Sequence, residues 1–371
     1  MSQAPPGLSP KVPGPAELPH WRRVERVLLI RLRSIGDTVL MTPCLSALKS
    51  WRPDIRITVV SEPLAAALLE DHPLVDLLLV SGRGSRARID LIRTLRNARF
   101  DIAFNLHGGS TATIITGLSG ARTTVGYRGH RYSGLLKMRA PAPDVLLGRQ
   151  CLHSVEQQLA LLCWAGVPWP RNAKLNLPVT AAAADSVRSK LRLAGLHDAD
   201  PGYAVLSPRA SAESKMWPAT SFAEVACHLK TRYQMTSVVI AGPGEEYTAR
   251  GIAALSEGSA VDLTGLSLKE LVALIAHSRI FVGNDSGPMH IAAAFDRPLV
   301  ALFGASNPTV WSPWTNGPYR VLAPPIEDND RAPGSRDSVL PVAVAPIGRI
   351  GVAEVTRAIG QVIEAQTFPA V

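Results

Sequence analysis

The sequence predicts an α/β protein with two Rossmann-like domains that face a cleft. In both halves of the chain, short apolar segments of strand length alternate with amphipathic segments of helical length, a rhythm typical of doubly wound parallel sheets. The chain has 371 residues, 46% of them apolar, which is enough for two ordinary hydrophobic cores. Because ligands of such sheets bind beyond the carboxyl ends of the strands, a site is expected in the loops that follow the strands.

Five apolar segments of the first half are expected to be strands, and amphipathic segments between them are expected to be helices. The strands are Arg26–Leu32, Arg56–Ser61, Leu77–Val80, Ile102–Leu106 and Thr123–Tyr127. The helices are Gly36–Trp51, Leu64–Glu70 and His153–Ala165. Arginines recur at helical spacing from Arg86 to Arg99, which is typical of a solvated helix face.

The second half repeats the pattern. Its strands are Tyr203–Ser207, Ser237–Ala241, Ala260–Asp262, Ile280–Val282 and Leu299–Phe303. Its helices are Phe222–Tyr233, Glu246–Leu255, Leu268–Ala276, Met289–Phe295 and Val352–Ala365. The predicted divisions are a disordered proline-rich leader (1–20), a first domain (21–178), a linker with a helix (179–200), a second domain (201–348) and a terminal helix and tail (349–371). A polar run at 325–338 is expected to be flexible.

Composition and motifs disfavour several classes of protein. No apolar run approaches the roughly 18 to 20 residues that a membrane-spanning helix needs. The four cysteines form no C-x-x-C pair and the nine histidines are dispersed, so neither a disulfide framework nor a metal site is predicted. The turn after the first strand has only Gly36 where a dinucleotide fingerprint needs three glycines, which disfavours a nicotinamide or flavin oxidoreductase.

The net charge of +9 is concentrated in one segment. Eleven Lys and Arg residues but only two Asp lie between Arg83 and Arg139, an excess equal to that of the whole chain. Such a segment predicts an anionic partner: phosphate groups of a substrate, anionic lipid or nucleic acid. Nucleic acid is disfavoured, since no helix-turn-helix, zinc-finger or RNP pattern is present.

The most informative stretch is 278–294, in which an apolar strand opens through a polar turn directly onto a helix. The first N–H groups of a helix are unpaired and carry a partial positive charge, so they favour a bound phosphate. A well-capped surface helix without a ligand is the alternative. The residues predicted to cap the helix or bind a nucleotide are Asn284, Asp285, Ser286, Gly287 and His290.

Three other loops carry candidate side chains. Asp37, after the first strand, could accept a proton from an attacking hydroxyl, or simply cap its helix. Lys215, with Ser211 on the same loop, could pair with a diphosphate, or be an ordinary solvated lysine. Glu245 and Glu246 could accept hydrogen bonds from ribose hydroxyls, or only complement the start of a helix.

From Arg26 to Trp314 the chain resembles glycosyltransferase family 9, the ADP-heptose:lipopolysaccharide heptosyltransferases. The resemblance is carried, in order, by RVLLIRLRSIGDTVLMTPCLSALKSWRPDIRITVV, GYRG, HSVEQQLALL, SPRASAESKMWPATSFAEVA, LTGLSLKELVALIAHSRIFVGNDSGPMHIAAA and ALFGASNPTVWSPW. It implies a glycosyltransferase-B fold, an amino-terminal acceptor domain, a carboxy-terminal ADP-sugar domain, and inverting transfer that needs neither a metal nor a cofactor.

The resemblance also implies roles for the residues above. Asp37 matches the catalytic base and Lys215 the diphosphate lysine, and either Glu245 or Glu246 matches a ribose-binding glutamate. The donor turn corresponds to Asp285, Ser286, Gly287 and His290. An anionic acceptor is expected to contact Arg31, Arg33, His107, Arg122, Arg128 and Arg131.

The implied partners are ADP-heptose and an anionic lipid-linked acceptor, met at the cytoplasmic face of the inner membrane. Two residues depart from the family pattern: Arg209 replaces a glycine, and Met216 replaces a basic residue after the lysine. Arg209 could contact the diphosphate or narrow the site. A transferase for another nucleotide sugar and a non-catalytic nucleotide-binding paralogue remain alternatives.

Overall fold

The computed structural model describes residues 10, 12–196, 202–324 and 346–367. The chain divides into two compact units, Met1–Pro178 and Val179–Val371. Most of the predicted leader (residues 1–9 and 11), the end of the predicted linker (197–200) and the polar run at 325–338 lie outside the described residues. Among the helices that are described, none is long and apolar enough to cross a membrane.

Unit 1 contains a six-stranded parallel sheet within its described residues, in the order β3-β2-β1-β4-β5-β6. The strands are β1 (Arg26–Ile30), β2 (Arg56–Ser61), β3 (Leu77–Val80), β4 (Ile102–Asn105), β5 (Thr123–Tyr127) and β6 (Met138–Ala140). The helices are α1 (Ile35–Val39), α2 (Thr42–Trp51), α3 (Pro63–Ala66), α4 (Ser85–Ala98), α5 (Ser110–Leu118), α6 (Pro143–Leu147) and α7 (Ser154–Trp164). Helices α4 and α5 join the sheet in one hydrophobic cluster that includes Leu28, Ile30, Leu91, Leu95 and Ile115.

Unit 2 has a second six-stranded parallel sheet within its described residues, ordered β12-β11-β10-β7-β8-β9. The strands are β7 (Tyr203–Ser207), β8 (Thr236–Val239), β9 (Ala260–Asp262), β10 (Ile280–Asn284), β11 (Leu299–Leu302) and β12 (Tyr319–Leu322). The helices are α8 (Ala181–Leu193), α9 (Ala219–Tyr233), α10 (Glu246–Leu255), α11 (Leu268–Ala276), α12 (Gly287–Ala294), α13 (Pro308–Trp311) and α14 (Val352–Thr367). The terminal helix α14 belongs to the core of this unit, where Val355 and Ile359 pack with Phe222 of α9.

Both sheets have the same strand order, which reverses direction between β1 and β4 in unit 1 and between β7 and β10 in unit 2. At such a reversal the connections leave the sheet in opposite directions and open a crevice at the carboxyl ends of the two strands. In unit 1, the loops after β1 and β4 lie at this crevice. In unit 2, the loops after β7 and β10 lie there.

The predicted helix Gly36–Trp51 is wrong in one respect, because the chain forms two helices there, α1 and α2, separated by Leu40 and Met41. Pro43 lies in the first turn of α2, where the missing N–H costs nothing, and it would disrupt a helix running through this position. The predicted helix Leu64–Glu70 is also shorter in the structure, where α3 ends at Ala66.

Candidate functional site

In unit 1, Asp37 and Arg31 form an ion pair directly after β1. A nitrogen of the Arg31 guanidinium contacts one carboxylate oxygen of Asp37, and the second oxygen accepts hydrogen bonds from the backbone N–H and the hydroxyl of Ser34, each at 3.1 Å. Asp37 therefore does cap α1. Its side chain is still 21% exposed, whereas that of Arg31 is only 7% exposed, so the carboxylate is the member of the pair that solvent reaches.

The loop after β4 packs beside this pair. Arg31 also donates to the backbone oxygen of Leu106, while the side chain of Asn105 accepts from the N–H groups of His107 and Gly108. Burial, and then the positive charge of Arg31, lower the pKa of His107 to about 4. The imidazole is accordingly neutral at pH 7, and within the described part of the chain its Nδ1 has no hydrogen-bond partner.

Glycine at position 108 allows His130 to approach the loop after β4. Gly108 has φ of +80°, and a Cβ there would lie 2.9 Å from Nε2 of His130. A side chain would thus meet both backbone strain and a steric clash. His130 also lies 3.4 Å from the side-chain nitrogen of Asn105, and burial lowers its pKa. Hydrogen bonds to the side chain of Asn105 therefore hold the loop that carries His107, and His130 packs against that loop at Gly108.

The predicted acceptor residues do not all lie together. Arg33 follows β1 and has a side chain that is 73% exposed, and Arg128 and Arg131 are exposed in the loop after β5. Arg122 instead precedes β5, with its N–H bonded to the oxygen of Phe100. It lies at the amino end of the parallel strands, opposite the edge that carries the other predicted acceptor residues. The structure therefore does not bring Arg122 together with them.

In unit 2, Lys215 and Asp285 form a second ion pair, between the loops after β7 and β10. The ammonium lies 3.0 Å from a carboxylate oxygen of Asp285, which also accepts a hydrogen bond from the hydroxyl of Ser306. Here the exposures are reversed, because the carboxylate side chain is 7% exposed and the lysine side chain 26%. Solvent reaches the cation.

The side chain of Asn284, at the end of β10, is hydrogen-bonded to the loop after β7. Its fully buried side chain donates to the oxygen of Pro208 at 2.7 Å and accepts from the N–H of Trp217 at 3.2 Å, so it bridges both ends of the lysine loop. The loop after β11 packs closely against the same region, since a Cβ at Gly304 would lie only 2.3 Å from the backbone oxygen of Ser214. Only glycine fits there. These contacts set the position of Lys215.

The helix predicted to begin after this turn is α12. Ser286 is its N-cap, with Gly287 and Pro288 at the first helical positions, and His290 is buried in its first turn. Within the described residues, the buried hydroxyl oxygen of Ser286 has no hydrogen-bond partner. An unpaired hydroxyl at a helix start, one residue after the carboxylate that pairs with Lys215, is a suitable donor for an anion.

The two glutamates after β8 have different surroundings. Glu245 accepts a hydrogen bond from Nε of Arg209 at 2.9 Å, and a second guanidinium nitrogen forms an ion pair with the same oxygen at 2.9 Å, so Glu245 faces the loop after β7. Glu246 accepts from the N–H of Gly244 in its own turn, and these backbone hydrogen bonds lower its pKa. Ser211 is exposed on the lysine loop. Of the two glutamates, Glu245 is the one directed at the loop that carries Lys215.

The sequence is similar to known proteins over most of its length. The family model for glycosyltransferase family 9 (heptosyltransferase) matches residues 88–330, more than half of the chain. Lipopolysaccharide heptosyltransferase 3 of Escherichia coli K12 is 31% identical over 302 residues, which cover 76% of this chain and 84% of that protein. The chain belongs to glycosyltransferase family 9.

Solved structures of similar proteins have the same fold as this family 9 glycosyltransferase. The glycosyl transferase family 9 protein of Veillonella parvula is 22% identical, with a TM-score of 0.78, and the match covers 92% of this chain and 97% of that one. ADP-heptose LPS heptosyltransferase II of E. coli is 23% identical, with a TM-score of 0.73, and the match covers 92% and 100%. The predicted glycosyltransferase-B fold is confirmed.

Sequence reasoning missed several residues that build the site of this family 9 protein. Ser306 and Gly304 lie in the segment ALFGAS, where Ser306 donates to Asp285 and Gly304 packs against the loop that carries Lys215. Asn105 and His130 were not singled out either. A buried asparagine at the end of a strand was the available signal, because its polar group must find partners in the following loop.

Proposed function

We propose that this protein transfers a heptose from ADP-heptose to a sugar hydroxyl of a lipopolysaccharide core acceptor at the cytoplasmic face of the inner membrane. The names of the relatives support the donor and the acceptor: a lipopolysaccharide heptosyltransferase at 31% identity, and an ADP-heptose heptosyltransferase of the same fold. The observation that carries the proposal is Asp37, a carboxylate that remains accessible at the strand reversal of its sheet while a buried arginine holds it.

In the proposed reaction, the acceptor oxygen attacks the anomeric carbon of the heptose as its proton moves to Asp37. The bond from that carbon to the diphosphate oxygen breaks, and its electron pair leaves with ADP. Attack from the face opposite the nucleotide inverts the configuration. Asp37 suits the role of base because its carboxylate is oriented by three contacts and still accessible.

In unit 2, positive charge is available for the departing diphosphate. Lys215 is held by the buried Asp285, and the N–H groups at the start of α12 follow immediately in the chain. Such preorganised donors stabilise developing negative charge without reorganisation. Glu245, the better placed of the two glutamates, is proposed to bind the ribose hydroxyls. We propose that these groups act without a metal ion or cofactor.

The test is a transfer assay with ADP-heptose and heptose-deficient lipopolysaccharide, combined with calorimetric titration of ADP. Asp37→Asn should reduce kcat by about 10²- to 10⁴-fold and leave ADP affinity unchanged, since it removes only the base. Lys215→Met should weaken ADP binding as well as turnover. Asp185→Asn is the matched control, because Asp185 is an exposed carboxylate on α8 that pairs only with Arg188 in the described structure.

Near-normal turnover of Asp37→Asn would remove Asp37 from the role of base. Transfer from UDP- or GDP-sugars but not from ADP-heptose would overturn the proposed donor. Activity should persist in excess EDTA; loss on chelation that magnesium restores would overturn the metal-free mechanism.

A further inference from the structure

One side of unit 1 is strongly basic. All eleven Lys and Arg residues between Arg83 and Arg139 are exposed. The two acidic residues of that segment are both paired with arginines of the same segment, Asp90 with Arg93 at 3.1 Å and Asp101 with Arg122 at 3.6 Å. The segment therefore presents positive charge to solvent with little to offset it.

Much of this charge lies on a single surface. Helices α4 and α5 contact each other and pack in the same hydrophobic cluster, so both cover the same face of the sheet. A 3₁₀ turn, Ser133–Leu135, packs in turn against α5, where a Cβ at Gly117 would lie 2.7 Å from the Cβ of Leu135. We call the outer side of α4, α5 and this turn the basic face.

The parts of the basic face are joined by contacts of the basic side chains themselves. The guanidinium of Arg96 on α4 donates to the oxygen of Leu118 at the end of α5, at 3.0 Å. The ammonium of Lys137, just after the 3₁₀ turn, donates to the oxygen of Arg122 at 2.7 Å. The face is thus one continuous surface from α4 to the segment after the 3₁₀ turn.

Large apolar side chains are exposed among these charges. Ile89 on α4 is 49% exposed, Leu118 at the end of α5 is 37% exposed, and Leu135 in the 3₁₀ turn is 46% exposed. Tyr132, next to that turn, is 48% exposed and lies beneath the guanidinium of Arg131. A surface that combines exposed apolar side chains with cations is typical of contact with a lipid interface.

We propose that the basic face binds an anionic lipid bilayer, with its arginines at the lipid phosphates and its apolar side chains in the headgroup region. The face joins the edge that carries Asp37, because the hydroxyl of Ser133 bonds to the oxygen of Arg128 in the loop after β5. A docked bilayer would therefore lie near that edge. This last point rests on the proposed function, which supplies a lipid-linked acceptor.

The experiment is co-sedimentation of the full chain with vesicles of phosphatidylglycerol and phosphatidylethanolamine, compared with vesicles of phosphatidylcholine alone. Wild-type protein should bind the anionic vesicles preferentially and less well as salt increases, because the attraction is screened. Arg86→Glu combined with Arg93→Glu should weaken binding at least about tenfold. Ile89→Ser should weaken it by about threefold, through lost apolar contact.

The matched controls lie in unit 2. Arg250→Glu reverses an exposed charge on α10, and Leu193→Ser removes a leucine on α8 that is 90% exposed. Neither should change vesicle binding. Equal binding to both kinds of vesicle, equal loss in the controls, or binding of heparin and nucleic acid without binding of vesicles would overturn the proposal.

A transfer assay without a bilayer distinguishes failure of this proposal from failure of the proposed function. With detergent-dispersed acceptor, the basic-face variants should turn over like wild type, since none of the altered residues belongs to the predicted site. If wild-type protein transfers no heptose in that assay, the proposed function fails and the vesicle result still decides the bilayer proposal.

Discussion

Each unit has an ion pair at the strand reversal of its sheet, but the two pairs differ in which member is buried, the cation or the carboxylate. After β1, a buried arginine holds an accessible carboxylate, Asp37. At the strand reversal of unit 2, a buried carboxylate, Asp285, holds an accessible lysine. In each pair, the buried member also bonds to a neighbouring loop or receives a bond from one: Arg31 donates to Leu106, and Ser306 donates to Asp285.

The difference shows how one fold can present either charge. A buried counter-ion fixes the geometry of its partner, because leaving the buried group unpaired would cost several kcal/mol. Which charge solvent meets then depends only on which member is buried. Unit 1 presents an accessible carboxylate, proposed to accept a proton, and unit 2 presents an accessible ammonium, proposed to attract an anion.

Replacing the buried member in unit 1 should have the largest effect. We expect Arg31→Met to lower the free energy of unfolding by about 3 kcal/mol, since it breaks a mostly buried pair. It should also lower kcat by about 10²-fold, since Asp37 loses its orientation. Urea unfolding and steady-state kinetics measure the two effects.

Arg31 was also predicted to bind the acceptor, and the same kinetics decide between the roles. A fall in kcat with little change in the KM for acceptor indicates that Arg31 positions Asp37. A rise in that KM with kcat unchanged indicates direct binding, and would contradict the assignment of Arg31 as a buried counter-ion.

In unit 2, Arg209→Gly should have a smaller effect. Without the guanidinium, Glu245 regains rotational freedom, and ordering it again on binding costs about 0.5–1.5 kcal/mol. The KM for ADP-heptose should rise by about three- to tenfold while kcat stays within about twofold. Glu246→Gln is the control, because Glu246 bonds only within its own turn among the described contacts. A lower KM for Arg209→Gly would show instead that the arginine narrows the site.

A separate effect concerns the pH dependence of stability. His107 has a pKa of about 4 in the folded chain, below its ordinary value of about 6.5, because burial and Arg31 oppose its charged form. Between these values the unfolded chain binds the proton and the folded chain does not, so stability falls as pH is lowered from 6.5 towards 4. His107→Asn should reduce this fall. Urea midpoints at pH 7, 6 and 5 measure it, and an unchanged pH dependence would contradict the burial of His107.

Local structure was largely predictable from the sequence. The strands Arg56–Ser61, Leu77–Val80 and Tyr203–Ser207 have the predicted bounds, because apolar runs bounded by polar turns are strong signals. The edge strands β6 and β12 were missed: both are short and only partly buried, so they lack the apolar run that marks a central strand.

Within the site, the sequence could not distinguish between some neighbouring candidate residues, whereas contacts with distant segments of the chain do. Glu245 and Glu246 are adjacent, and only the approach of Arg209, 36 residues earlier, separates their surroundings. Arg122 and Arg128 are close in sequence, but a strand lies between them and places them at opposite edges of the sheet. No local pattern contains this information.

The sequence by itself determined the class of fold, the loops that carry the polar residues, and the family, because these depend on local periodicity and on the order of motifs. The tertiary structure decided the strand order, and with it which loops meet. Lys215 and Asp285 are 70 residues apart and pair only because β7 lies beside β10. Burial decided the rest: whether an ionised side chain faces solvent depends on what packs over it, which distant parts of the chain supply.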